Sequence, residues 1–120
     1  MKRQRTAILL AVLLLASCAA MPLRQGAVNR ADDSAYSVLL ITQAVIDQVR
    51  AEIAAGSLPE GLRPGLMRLI DSYNIARSAW LTYRNAVKAG TSPSATAINA
   101  AVSGLSTALD AFQSSRRITP

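Results

Sequence analysis

The sequence predicts an all-α protein folded as an antiparallel, up-down-up three-helix bundle. Hydrophobic residues make up 51% of the chain but aromatic residues only 4%, and a core rich in Ala and Leu favours helix over sheet. Apolar residues recur at alternating spacings of three and four, which is the heptad pattern of coiled-coil-like seams. Short stretches containing Gly and Pro separate three such segments. Short connections place successive helices side by side in opposite directions.

A basic start and an apolar run precede the helical segments. Residues 1–5 carry three cations, Thr6 to Leu15 are almost all apolar, and two small residues and the only cysteine follow. This order is typical of a secretory signal peptide. The end of the run is Leu15, Ala16, Ser17 and Cys18.

These four residues resemble the lipobox of bacterial lipoproteins. In that family a peptidase cuts just before the cysteine, whose sulfur carries a diacylglyceryl group. The resemblance implies that residues 1–17 are a cleaved signal peptide and that Leu15, Ala16 and Ser17 form the cleavage motif. It also implies that Cys18 is the lipid attachment site, so that a covalent lipid takes the place of any cofactor.

Two other interpretations of this segment remain open. An uncleaved membrane anchor would need about 20 apolar residues, whereas only the stretch from Thr6 to Ala20 is free of charge. An ordinary signal peptide would leave Cys18 as an unpaired thiol in an exported protein, which requires an explanation. Lipidation supplies one, and we therefore favour the lipoprotein interpretation.

Residues 18–29 are expected to form the lipidated cysteine and a flexible tether. Pro22 and Gly26 interrupt this stretch, which shows no helical periodicity. A fully extended tether of this length would reach about 35 Å from the bilayer surface.

Loss of the signal peptide also changes the charge of the protein. The whole chain carries +6, but three of its cations lie in residues 1–5, so the mature part carries +3. Nucleic-acid binding requires a clustered basic face, and the mature cations are dispersed apart from Arg116 and Arg117. We expect no nucleic-acid partner.

The first helix is predicted over about residues 30–55. Asn29 or the cluster from Asp32 to Ser34 offers the N-cap, and Gly56 offers a left-handed residue that ends the helix. A second apolar stripe, formed by Val38, Ile41 and Val45, lies beside the main one and is expected to be less buried. It is a candidate surface for a weak homodimer or an envelope protein partner. The main stripe is Ala35, Leu39, Thr42, Ile46, Val49 and Ile53.

The second helix is predicted over about residues 64–89, after a short helical turn between Pro59 and Arg63. The aromatic face formed by Tyr73, Trp80 and Tyr83 is most simply part of the core, but it also offers a ligand, glycan or partner surface. Its seam is Leu66, Leu69, Tyr73, Ala76, Trp80, Tyr83 and Val87.

Three cations accompany this seam at spacings of seven and four, namely Arg77, Arg84 and Lys88. They are interpreted as a solvated flank, with contact to acidic lipid phosphates as the alternative.

The third helix is predicted over about residues 93–115, with Thr91 or Ser92 as its cap and Pro93 at the first helical position. The helical domain therefore covers residues 30–117 and leaves a tail of residues 118–120. The seam of this helix is Ala95, Ile98, Val102, Leu105, Leu109 and Phe112.

The residue types argue against catalysis and metal binding. The chain has no histidine, which is the commonest general base, and it has no Cys/His cluster for a metal. We therefore expect a non-catalytic, structural or interaction lipoprotein of the cell envelope.

Ala19 follows the cysteine where enteric lipoproteins retained in the inner membrane commonly have Asp. This implies an outer-membrane location facing the periplasm in a host with two membranes. The alternatives are a periplasmic module that binds a small apolar or glycan ligand near Tyr73, Trp80 and Tyr83, and a prophage-borne or accessory envelope lipoprotein.

Overall fold

A computed structural model describes residues 23–118. Three helices, α1 (Arg30–Ala54), α2 (Arg63–Lys88) and α3 (Thr96–Ile118), follow one another, with a 3-10 turn (Glu60–Leu62) before α2. Each helix packs against the other two, and residues 23–118 include no strand. The predicted all-α three-helix bundle is confirmed. Its helices are about 35–39 Å long at 1.5 Å per residue.

The predicted seams meet along the axis of the bundle. Val49 of α1, Leu69 of α2 and Leu105 of α3 are fully buried. Phe112 closes the core near the turn between α1 and α2, where its ring lies 3.5 Å from the position of a Cβ on Gly65. Side-chain burial of this kind is the main favourable term in folding. The core cluster consists of Leu39, Ile46, Val49, Leu62, Leu66, Leu69, Ala76, Leu105 and Phe112.

The ends of α1 and α2 follow the cap signals in the sequence. Asn29 has an extended backbone, and its side-chain oxygen accepts the Asp32 N–H at 3.0 Å. Of the two predicted caps of α1, the structure therefore selects Asn29. Gly56 (φ +71°) ends α1 and Gly90 (φ +86°) ends α2, both in the left-handed region that favours glycine.

The predicted start of α3 at Pro93 is wrong, because the helix begins at Thr96. The N–H and the hydroxyl of Thr91 both donate to the carbonyl of Ala86, at 3.1 and 2.6 Å. Thr91 therefore completes the end of α2 and is not available to cap α3. Ala95 precedes the helix, and its carbonyl accepts the Asn99 N–H at 2.9 Å. The hydroxyl oxygen of Ser94 accepts the N–H of the first helical residue, Thr96, at 3.2 Å.

Candidate functional site

A buried carboxylate lies at the start of α1. Asp32 is fully buried, and its Oδ2 accepts the Val28 N–H at 2.8 Å. Its Oδ1 accepts the indole N–H of Trp80, which reaches across from α2. A buried charge is tolerated only with such partners. Asp32 is thus far more than a favourable charge in the first turn of a helix.

Two arginines complete the surroundings of this carboxylate. Arg24 Nη2 lies 3.1 Å from Asp32 Oδ1, and Arg84 Nη1 lies 3.6 Å from Oδ2. Their side chains are only 23% and 19% exposed, so both ion pairs are shielded from most of the solvent. We call Asp32, Arg24, Trp80 and Arg84 the Asp32 cluster.

Aromatic rings support both guanidinium groups. Arg24 lies 3.9 Å above the ring of Tyr36, and Arg84 lies 5.7 Å from the ring of Trp80. The two rings themselves are 5.8 Å apart and tilted. Cation–π and aromatic contacts of this geometry each contribute about 0.5–1.5 kcal/mol. The cluster is therefore held by packing as well as by charge.

The Asp32 cluster fastens residues 24–29 to the bundle, and we call these residues the docked segment. The Ala27 N–H donates to the Arg24 carbonyl at 3.1 Å across a turn in which Gly26 has φ +89°. Arg84 Nη2 donates to the Gly26 carbonyl at 3.1 Å. Asn29 Nδ2 donates to the Tyr83 hydroxyl at 2.8 Å.

The docked segment differs from the flexible tether that the sequence predicts there, whereas residues 18–22 of that prediction lie outside the described residues. Its backbone and side chains bond to α1 and α2, because the buried Asp32 carboxylate pairs with Arg24 and accepts the Val28 N–H. Only residues 19–23 then separate Cys18 from the docked segment, and this stretch can span about 20 Å when extended.

The polar atoms of the aromatic face of α2 form hydrogen bonds within the protein. The Tyr73 hydroxyl donates to Gln43 Oε1 at 3.2 Å, Trp80 donates to Asp32, and Tyr83 accepts from Asn29. The cleft beside Trp80 has a volume of about 120 Å³, whereas ligand pockets usually measure about 300–1,000 Å³. The cleft beside Trp80 is thus smaller than a usual ligand pocket, and Gln43 and Arg77 are the polar residues that line it.

A larger apolar groove of about 340 Å³ lies between the end of α2 and the start of α3. Ala79 and Ala86 of α2 face Pro93 and Ile98 across it, and no charged residue lines it. A ligand there would find apolar contact and a few hydroxyl groups.

The residues predicted as possible partner or ligand surfaces, Val38, Ile41, Val45 and Trp80, differ in exposure. Ile41 is 58% exposed, beside Leu40 at 54%. Val38 and Val45 are half-buried against the core, and Val45 borders a cleft toward α3. Trp80 belongs to the Asp32 cluster. Only Ile41 among the four is an exposed apolar residue.

The basic residues of α2 divide into two kinds. Arg84 joins the Asp32 cluster, whereas Arg77 and Lys88 are exposed. Sequence reasoning missed this difference, since the spacing of the three cations is the same in either case. The sequence feature that could have indicated this difference is the pair of aspartates near the start of α1, together with the single tryptophan of the chain.

The predicted lipid attachment site at Cys18 and the cleavage motif lie outside the described residues. Within residues 23–118, no group of His, Cys, Asp and Glu side chains is arranged to hold a metal ion. No helix in the same range is long and apolar enough to cross a membrane.

Comparison with models of protein families, with curated proteins and with solved structures finds no match to this chain.

Replacing the buried carboxylate should destabilise the bundle strongly. Asp32→Ala leaves the Trp80 indole and the Val28 N–H without their acceptor. It also removes one of the two partners of each arginine, since Arg24 keeps Asp33 and Arg84 keeps the Gly26 carbonyl. We expect a loss of about 3 kcal/mol in the free energy of unfolding, the lower end for a broken buried pair, because the arginines keep some contact with water. Denaturant unfolding followed by circular dichroism measures it.

The matched control is Asp71→Ala, at an exposed position of α2, which should change stability by less than about 0.5 kcal/mol. Equal effects of the two substitutions would show that the Asp32 cluster contributes nothing specific.

Proposed function

We propose that this chain is a lipid-anchored protein of the cell envelope with a structural or protein-interaction role and no catalytic activity. The proposal rests on the Leu15-Ala16-Ser17-Cys18 pattern. This pattern ends an apolar stretch that follows a basic N-terminus. The docked segment supports it, because it starts only six residues after Cys18. A lipid on Cys18 would thus be joined to a fixed point on the bundle. Ala19, in place of Asp, favours the outer membrane.

The ion pairs of the bundle support a non-catalytic role. Glu52 pairs with Arg116, and Glu60 Oε2 lies 3.1 Å from Arg63 Nε. Asp32 is enclosed by its own cluster. General acid–base catalysis requires a positioned group that can reach a substrate proton, whereas Asp32 and Glu52 are held in partly shielded ion pairs within the bundle.

The outer face of α1 supports self-association. Ile41 and Leu40 are exposed, and an isologous dimer is the commonest way to cover such a face. Two copies anchored in one leaflet must point the same way, so α1 would meet its counterpart in parallel. The exposed residues at heptad spacing on this face are Ser37, Ile41, Ala44, Gln48 and Ala51. Small residues at most of these positions allow the two helices a close approach.

Two alternatives within the envelope remain proposals. The apolar groove between α2 and α3 suits a small apolar ligand in volume, and of the predicted aromatic face Tyr83 lines it whereas Tyr73 and Trp80 do not. A prophage-borne or accessory envelope lipoprotein would share the same anchor and fold.

Lipidation is tested with Cys18→Ser. We expect labelled palmitate to enter the wild-type protein and to be absent from the variant, whose precursor should accumulate because its cleavage depends on the modified sulfur. Two or more acyl chains anchor a protein firmly, so the wild-type protein should stay with membranes in high salt. Ser17→Ala is the control, since it keeps a small residue in the motif and should behave like the wild-type protein. Release of the wild-type protein by salt alone would contradict the proposal.

Self-association is tested with Ala44→Cys in intact cells. A parallel dimer brings the two introduced thiols close enough for a disulfide, so mild oxidation should give a crosslinked dimer. Adding Ile41→Asp should abolish the crosslink, because it places two carboxylates in the contact.

The control for that experiment is Ile75→Asp, which puts the same charge at an exposed position of α2, 64% exposed, and should leave the crosslink intact. If no crosslink forms in any of these proteins, self-association is wrong and a foreign partner becomes the better explanation of the exposed residues.

A further inference from the structure

The two ends of the bundle differ in charge. The bonds from Asn29 to Tyr83 and from Tyr73 to Gln43 show that α1 and α2 run in opposite directions. The start of α1, the end of α2 and the start of α3 therefore lie together, on the side that leads to Cys18. We call residues 23–41 and 76–104 the anchor half, and residues 42–75 and 105–118 the far half.

The acidic residues lie mostly in the far half. The two exceptions are Asp32 and Asp33, and both contact Arg24. The far half contains Asp47, Glu52, Glu60, Asp71 and Asp110, balanced by Arg50, Arg63, Arg68, Arg116 and Arg117. The anchor half contains Arg24, Arg30, Arg77, Arg84 and Lys88. The far half is thus neutral, and the whole net charge of +3 lies in the anchor half.

We propose that the anchor half binds the anionic head groups of the leaflet that holds the Cys18 lipid. This inference rests on the proposed lipid anchor, since the anchor determines which end of the bundle meets the membrane. Juxtamembrane cations are attracted to anionic lipid within about a Debye length, roughly 8 Å at physiological salt.

The docked segment keeps these cations within reach of the membrane. An extended tether of residues 18–29 would let the bundle move about 35 Å away, whereas residues 19–23 alone allow about 20 Å. The Asp32 cluster therefore shortens the connection and also sets which side of the bundle faces the lipid. Without it, the cations would spend most of their time beyond the range of the surface potential.

Arg77 and Lys88 are the cations best placed to meet lipid. Both are exposed on one face of α2, about 16 Å apart along the helix, so both reach the head groups when this face lies along the leaflet. Arg84 lies between them but is turned toward Asp32 and the Gly26 carbonyl. Leu23, which is 38% exposed, follows the link to Cys18 directly and adds an apolar side chain at the same end.

Energy transfer from Trp80 tests the proposal. This residue is the only tryptophan of the chain and lies in the anchor half. The mature lipidated protein is reconstituted into vesicles of phosphatidylcholine, or of equal parts phosphatidylcholine and phosphatidylglycerol, with dansyl-labelled head groups as acceptors. We expect greater transfer in the anionic vesicles, and loss of the excess at about 1 M salt, where the Debye length falls to about 3 Å.

A pair of charge-matched double variants makes the test specific. Arg77→Gln/Lys88→Gln removes two exposed cations from the anchor half and should lose the excess transfer. Arg68→Gln/Arg117→Gln removes two exposed cations from the far half and should keep it. Circular dichroism and the fluorescence of each protein without acceptor exclude changes in fold or in Trp80 emission, since Arg77 lies one turn from Trp80.

Equal transfer in neutral and anionic vesicles would overturn the proposal, and so would equal losses in the two double variants. Failure of the anchor itself has a different signature, because a protein without lipid would not float with neutral vesicles at all. Salt-sensitive flotation of such a protein with anionic vesicles alone, lost in Arg77→Gln/Lys88→Gln, would support the anchor half as a lipid-binding surface while contradicting lipidation.

Discussion

The buried carboxylate of Asp32 determines how the chain enters the bundle. Removing such a group from water costs several kcal/mol unless its acceptor sites are filled. The Val28 N–H, the Trp80 indole and two arginines fill them, and these partners come from two separate stretches of sequence, residues 24–28 and residues 80–84. All of these partners must be in place around the carboxylate. This requirement fixes the position of the docked segment relative to α1 and α2 at this end of the bundle. Elsewhere the bundle relies on apolar packing, which is far more tolerant of small shifts.

How much of this structure the sequence predicts depends on the range of the interactions involved. Heptad spacing is local, and it placed Leu69, Leu105 and Val49 in the core as the structure has them. The glycine ends of α1 and α2 are local as well. The start of α3 was missed because Thr91 bonds backward to Ala86. The Thr91 side chain can serve either the end of α2 or the start of α3, and the local sequence does not distinguish the two. The Asp32 cluster was missed because it joins residues up to 60 positions apart.

The same cluster links the fold to the proposed function. A long extended tether would separate the behaviour of the lipid from that of the bundle, so that the domain could take any orientation. The docked segment instead makes residues 24–29 part of the domain, so that the proposed lipid anchor would give the protein a membrane-facing half and an outward half. The net positive charge lies in the first of these and the neutral, ion-paired surface in the second. Ile41 is exposed at the border between the two halves and could then meet a neighbour in the same leaflet.

Native-state hydrogen exchange of the backbone amides tests most directly whether residues 24–29 belong to the folded domain. The Val28 amide bonds to a fully buried carboxylate, and slow exchange reports the free energy needed to open such a bond. We expect the amides of Ala27 and Val28 to be protected to a degree similar to those of the first turns of α1. Exchange of both amides at the rate of an unfolded chain, while α1 and α2 remain protected, would contradict the central role of Asp32.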